Sequence, residues 1–208
     1  PDIKLFLTQK LSLENLNNIS IEDYIGRSEH QFDQNSNYHS INKKNVLITG
    51  AGGSIGSELS SQIYSLSPNK LILLDNTEYN LFSLRKKLNE KFKNVDNDKI
   101  QYSLCDIKDF DSIYSVFNKN NINTVFHCAA YKHVDYVENN IIASIKNNIL
   151  GTYNLINVAR EKNIKNFTLI STDKAVKPTS FMGATKNYSE KILLSLMQED
   201  NDKTKYNY

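Results

Sequence analysis

Residues 45–208 predict a doubly wound α/β domain built on a parallel sheet, and three observations carry that prediction. Short apolar runs alternate with amphipathic segments of helical period from Asn45 onward. Three glycines sit where the first apolar run passes into the first amphipathic segment. Aspartates, Asp75 and Asp106, close the second and third runs.

Taken in order, "NVLIT" (45–49) reads as a short buried strand and "SIGSELSSQIYSL" (54–66) as a helix. "KLILLD" (70–75) is a second buried strand, and "EYNLFSLRKKLNEKF" (78–92) spaces its apolar residues for a helix. "IQYSLCD" (100–106) and "NTVFHCAA" (123–130) are further strands, with the helix "FDSIYSVFNKN" (110–120) between them. A long helix is expected over 137–163, a strand over 166–172 and a helix over 184–200. "TKYNY" (204–208) would begin a sixth strand. Strands that are apolar throughout, rather than alternating, belong to sheets covered on both faces. Residues 1–44 carry little strand pattern; they read as an N-terminal extension of short helices and polar loop, joined to a core at 45–208.

Composition narrows the function classes. The 208 residues carry 25 basic and 23 acidic side chains, a net charge of +2 with no basic block, which argues against a nucleic-acid surface. No stretch reaches the roughly 18–20 apolar residues of a membrane-spanning helix, and no signal peptide is visible. Cys105 and Cys128 lack partner spacing and read as buried thiols of a reducing cytoplasm. No metal site is expected, because His30, His39, His127 and His133 have no coordination spacing. His127, at a strand end, reads as a packed core residue, and packing is also the simpler role for Tyr131 and Tyr136.

The glycine loop points to a nucleotide. Gly50, Gly53 and Gly56 are spaced G-x-x-G-x-x-G, which permits a tight turn and lets backbone N–H groups reach a pyrophosphate at a helix N-terminus. Asp75 follows Gly56 by 19 residues, where a carboxylate binds both hydroxyls of an adenine ribose and repels a 2′-phosphate. NAD is therefore expected over NADP. The plainer role for Asp75 is to cap the helix beginning near Thr77–Glu78. Asp106 divides in the same way between an adenine contact and a loop cap.

The strip "STDKAVKPTSFMGATK" (171–186) raises the question of proton handling. Lys186 stands four residues after Met182, where a dehydrogenase of this kind carries a tyrosine, and a thioether moves no proton. Together with "TGAGGSIG", "LLDNTEYNL", "HCAAYKHVDYVE" and "NNILGTYN", the strip resembles the UDP-N-acetylglucosamine 4,6-dehydratases. These are extended short-chain dehydrogenases of the CapD-like polysaccharide-biosynthesis group. The resemblance covers nearly all of 45–208, and Met182 is similar to the large membrane-anchored subgroup; "ISIEDYIGR" resembles the segment before its core.

That resemblance implies an NAD-binding Rossmann fold, cut before the part that binds the UDP-sugar. It implies that Thr172, Asp173 and Lys174 are catalytic and that Lys186 holds the nicotinamide ribose. Ser54 and Ile55 of the glycine loop, Ile107 beside Asp106, and Ala129, Ala130 and Lys132 would line the cofactor, with Asn148 as a structural asparagine. It implies further a full-length protein held at the inner face of the membrane through segments absent here, and pairing of copies through helices around 141–163 and 183–199. A piece of this extent is expected to bind NAD without turning over UDP-N-acetylglucosamine, with its last helix, 184–199, loosely held or repacked on a partner.

The implied reaction removes hydride from C4 of the hexose, a proton from C5 and the hydroxyl from C6, then returns hydride to C6. Lys174 is assigned as the C5 base and Asp173 as the C6 acid, a pair with ordinary pKa values of about 10.4 and 3.9 whose desolvation in a closed pocket would oppose their ionisation. With Met182 silent, the C4 proton leaves through Thr172 or to Asp173. Three alternatives stand beside this. A 4-epimerase would share the cofactor site but needs no C5 base, a non-catalytic NAD-binding module would use the fold alone, and Met182 could be packing in a degenerate site.

Overall fold

The computed structural model describes residues 41–199 and 205–207. Most of the expected N-terminal extension, with His30 and His39, lies outside the described residues. Ile41, assigned to that extension, is buried in the core beside Val46 and Ile48, so the packed domain reaches back at least this far.

Six parallel strands form one sheet: β1 (Asn45–Thr49), β2 (Lys70–Asp75), β3 (Ile100–Leu104), β4 (Thr124–His127), β5 (Asn166–Leu169) and β6 (Lys205–Asn207). Their order is β3-β2-β1-β4-β5-β6. The chain works outward from β1 on one side, then crosses back to lay β4 on the other. That reversal opens a crevice at the carboxyl ends of β1 and β4, where Thr49 and His127 are paired.

Helices α1 (Ser54–Ser65), α2 (Glu78–Lys91) and α3 (Phe110–Asn120) join the first four strands. The period-2 geometry of a strand sends successive side chains to opposite faces. Val46, Ile48, Leu71 and Leu73 therefore pack with Ile63, Leu84 and Leu88 from α1 and α2. Leu47, Ile72 and Leu74 face the other way, into a core with Ile113, Phe117, Leu155 and Phe167. Asp109 starts α3 by accepting from Ser112 N–H (3.2 Å) and from its hydroxyl (2.5 Å).

The long helix expected over 137–163 is broken. It begins as α4 (Val134–Asn139), stops at Asn140, whose φ of −135° and ψ of 51° are not helical, and resumes as α5 (Ile141–Ser144). A π-helical stretch, Ile145–Leu150, then leads into α6 (Gly151–Glu161). The wide turn has a partner that holds it. Asn148 is buried, and its side-chain amide donates to Tyr131 C=O and Thr185 Oγ1 (both 3.0 Å) while its Oδ1 accepts from Tyr131 N–H (2.8 Å). Its backbone carbonyl accepts from the hydroxyls of Thr152 (2.6 Å) and Ser189 (2.7 Å).

The last helix, α7 (Phe181–Glu199), starts three residues before the expected position and carries Met182 in its first turn. One side of it is packed against the rest of the domain. Thr185, Lys186, Ser189 and Leu193 are buried, because Asn148 and the second core draw this face against the sheet.

His127 is buried completely, as a core residue, yet it is polar-bonded at both ring nitrogens. Thr152 gives its hydroxyl proton to Asn148 C=O, so toward His127 Nε2 (2.8 Å) it must accept. Nε2 then carries the proton, and Nδ1 accepts from the Thr49 hydroxyl (2.7 Å). Burial, assisted by the Lys186 charge, holds the imidazole neutral down to a pKa of about 3. The unfolded chain binds a proton here near pH 6.5 that the folded chain refuses until about 3, so stability falls as pH drops through that window. Roughly 2–3 kcal/mol should be lost through this group between pH 7 and 4.5. Urea unfolding at both pH values checks it: His127→Gln should show a shallower acid loss than wild type, and equal losses would contradict the neutral buried imidazole.

Candidate functional site

The site grows from the turn after β1. Gly50 has φ +61°, and a Cβ there would lie 2.7 Å from the backbone of Ala129. At Gly56 a Cβ would stand 2.1 Å from Gly50 C=O, so a side chain would force the loop off the helix. Helix α1 is capped by Gly53 with no side-chain acceptor, and its first bond runs from Ser57 N–H to Gly53 C=O (2.8 Å). The N–H groups of Ser54, Ile55 and Gly56 thus have no intrahelical acceptor and, with the helix dipole, favour an anion.

This turn is one wall of a cleft of about 400 Å³ at the carboxyl ends of the strands. Gly50, Gly53, Ser54, Ile55 and Gly56 line it from the loop, Asp75 from β2, Ile107 from the β3–α3 connection, and Ala129, Ala130 and Lys132 from the segment after β4. Lys132 reaches across to Ser54, its Nζ 3.3 Å from Oγ. Ten of the residues expected to line a cofactor therefore meet in one place.

Asp75 braces the start of α2 and also lines the cleft. Its Oδ1 accepts from Thr77 N–H (3.1 Å) and Asn80 Nδ2 (3.2 Å), bracing the start of α2. Its Oδ2 accepts from Gly52 N–H (3.0 Å), which ties β2 to the glycine loop and leaves acceptor capacity toward the cleft. Asp106 braces the loop before α3. It accepts from Lys108 N–H (2.9 Å), pairs with the Lys108 ammonium (3.1 Å), and does not line the cleft. Asn80 and Asn147, which sequence reading passed over, do line it. Their polar side chains arrive there only because α2 and the π-helical stretch fold back on the strand ends.

Both cysteines line the cleft as well, and burial pushes their thiols up, Cys105 to about 11 and Cys128 to about 12. They are protonated and unreactive near neutral pH. Among the described residues no three His, Cys, Asp or Glu side chains gather where they could hold a metal ion.

The proton-carrying strip lies after β5. Thr172 caps a 3₁₀ turn, Asp173–Ala175, and its hydroxyl donates to Asp173 Oδ1 (2.9 Å). That bond, with the nearby Lys174 charge, holds the Asp173 carboxyl below the usual carboxylate range. The closed pocket expected around Asp173 and Lys174 is not formed by the described residues: both are exposed on the 3₁₀ turn that follows β5. Beneath it, Gly183 lets the Lys174 carbonyl approach so closely that a Cβ would stand 2.5 Å away. Met182 is buried and its backbone carbonyl accepts from Thr185 (2.7 Å), so its side chain is packing.

Lys186 is also buried, and its Nζ donates to Ile170 C=O (2.6 Å). Desolvation lowers its pKa to about 8, opposed by its electrostatic interactions with Cys128 and Glu190. Like Thr172, Asp173, Lys174 and Met182, Lys186 stands outside the lining of the cleft, though it interacts electrostatically with Cys128, which does line it. Glu190, not anticipated from sequence, accepts from the Ser171 hydroxyl.

Similarity to known proteins agrees with this arrangement. The CapD capsular polysaccharide biosynthesis protein of Staphylococcus aureus is 38% identical over 208 residues, 99% of this chain and 34% of that protein. An inverting UDP-N-acetylglucosamine 4,6-dehydratase of Campylobacter jejuni is 33% identical over 156 residues, 74% of this chain and 44% of that enzyme. Among solved structures, Pen from Bacillus thuringiensis superposes with a TM-score of 0.71 at 33% identity, over 80% of this chain and 49% of that one. The chain thus spans between a third and a half of the length of these relatives. The family described as polysaccharide biosynthesis protein matches residues 46–208, nearly the whole of the glycine-loop domain and its strip, and the chain belongs to that CapD-like family.

Proposed function

We propose that the full-length protein is an NAD-dependent nucleotide-sugar 4,6-dehydratase acting on UDP-N-acetylglucosamine for polysaccharide or glycoprotein glycan synthesis. The observation that carries this reading is the Thr172–Asp173 hydrogen bond beside Lys174: an acid, a base and a hydroxyl relay on one turn after β5. Dehydration needs all three; 4-epimerisation needs neither a C5 base nor a C6 acid.

The residues present fit NAD. The uncapped start of α1 and the Lys132 ammonium suit a pyrophosphate, and the remaining acceptor capacity of Asp75 suits a ribose diol. NAD, when bound, supplies a reversible hydride acceptor for C4 and a donor for C6. Lys186 orients the ribose and offers positive charge. Thr172 takes the proton from the C4 hydroxyl and relays it to Asp173, its existing acceptor. Lys174, as the neutral amine, removes the C5 proton that the 4-ketone has made acidic and gives a proton back to C5 as hydride is returned to C6. Asp173 protonates the departing C6 oxygen, which leaves as water.

In the exposed strip Asp173 is held as a carboxylate, so its work as an acid depends on that relayed proton and on desolvation when the sugar covers it. Binding energy from the UDP moiety orients the sugar over the strip. A chain spanning a third of CapD's length is accordingly expected to bind NAD without useful turnover. Cytoplasmic chemistry at the inner membrane face and pairing of copies belong to the same proposal. Ile142, Leu150, Tyr153 and Tyr188 offer exposed apolar surface on the helices concerned, and no described helix is long and apolar enough to cross a membrane.

Incubating full-length protein with UDP-N-acetylglucosamine and reading the product by NMR tests the reading; a 4-epimer would replace it with epimerase chemistry, and no conversion would leave a binding module. Two results are expected alongside. NAD should bind at least tenfold more tightly than NADP, about 1.4 kcal/mol, and Asp75→Ala should narrow the gap; equal affinities in wild type would remove the role given to Asp75. Lys174→Ala or Asp173→Asn should lose on the order of 10²–10⁴-fold in turnover, while Met182→Leu, a volume-conserving change at a buried site, keeps most of it. Equal damage from Met182→Leu and Lys174→Ala would contradict the assignment.

A further inference from the structure

Lys186 and Glu190 stand one turn apart on the same face of α7 and grip consecutive residues of the connection after β5. Lys186 Nζ donates to Ile170 C=O (2.6 Å), and the Glu190 carboxylate accepts from the Ser171 hydroxyl. The next three residues are Thr172, Asp173 and Lys174. Asn187, on the same helix, adds a hold farther along by donating from Nδ2 to Ala175 C=O (2.8 Å). The adjacent anchors at Ile170 and Ser171, drawn from the buried side of α7, help fix the direction in which the strip leaves the sheet.

The same pair has an electrostatic side. The groups facing Lys186 are His127 and Cys128 from the end of β4 and Glu190 from its own helix; Asp173 and Lys174, on the strip outside, are exposed. His127 stays neutral above about 3 and Cys128 below about 12, so neither supplies a counter-charge near neutral pH. Glu190 is the carboxylate among them, and its charge opposes the desolvation of Lys186.

We propose that Glu190 is a positioning residue, which holds the strip through Ser171 and supplies the counter-charge to Lys186, so that the ribose-facing lysine and the proton-carrying residues stay in register. The roles of Lys186 and the strip rest on the dehydratase reading; the coupling between Glu190 and Lys186 does not.

The experiment uses full-length protein carrying ¹³C at the lysine ε position, with the Lys186 signal assigned by its loss in Lys186→Arg. Glu190→Gln should move the Lys186 titration midpoint below that measured for wild type, while Glu190→Asp and Ser171→Ala leave it unchanged. Turnover of UDP-N-acetylglucosamine at pH 7 should fall on the order of tenfold in Glu190→Gln, with NAD affinity within about twofold, and Glu190→Asp should restore most of it. An unmoved midpoint in Glu190→Gln, or equal damage from Gln and Asp, overturns the proposal. Should Glu190→Gln not fold, Ser171→Ala decides: slowed turnover with an unmoved midpoint supports the hold on the strip, and unchanged turnover overturns it. Wild-type protein without dehydratase activity would count against the proposed function alone, because the titration reads Glu190 with no substrate present.

Discussion

The backbone and side chain of Asn148 together take part in six hydrogen bonds, to Tyr131, Asn147, Thr152, Thr185 and Ser189, and the arrangement of the site follows from them. Tyr131 is bound through its backbone on both sides, which fixes the segment carrying Ala129, Ala130 and Lys132 along the cleft. Thr185 and Ser189 draw in the face of α7 that presents Lys186 and Glu190. Thr152 continues through His127 to Thr49, at the root of the glycine loop. An asparagine can donate and accept at once, which is why one side chain serves loop and helix together. The π-helical stretch is the local cost of turning that residue and its carbonyl inward.

Dry and wet parts of the site carry different protonation chemistry. Around the strand ends, His127, Cys105 and Cys128 are desolvated and neutral near pH 7, each shifted away from its charged form. Lys186 belongs to this interior but keeps a counter-charge and a carbonyl partner, so its pKa falls only to about 8. A few residues away the exposed strip holds Asp173 as a strong carboxylate through the Thr172 hydroxyl and the Lys174 charge. The interior groups are shielded from solvent, while Asp173 and Lys174 on the strip are exposed to it. This division suits chemistry in which a cofactor is held constantly and a sugar arrives and leaves.

Much of the cleft was legible before any coordinates. Gly50, Gly53 and Gly56 announce themselves because close backbone approach excludes a Cβ, and the apolar runs announce strands because both sheet faces are covered. Asp75 was legible in position but ambiguous in role, and it braces the residues that enter α2 while still lining the cleft. Other features left no local trace. Nothing in "VENNIIASIKNN" marks Asn140 as a break, since its backbone is bent by what surrounds it rather than by a glycine or proline. Glu190 looks like any helix glutamate until Ser171 is seen against it.

By itself the sequence determined the strand sequence, the turn that can receive a phosphate, the choice of residues on the strip and the exclusion of Met182 from proton transfer. These depend on local backbone freedom and on the chemistry of side chains, which the chain carries wherever it goes. The tertiary structure alone decided which of those side chains are dry. It set Asp106 on Lys108 instead of the cleft, left Asp173 and Lys174 in water, and buried Lys186 beside Cys128. Desolvation is a property of every atom within several ångströms, drawn from strands and helices far apart in the chain, so no window of sequence contains it.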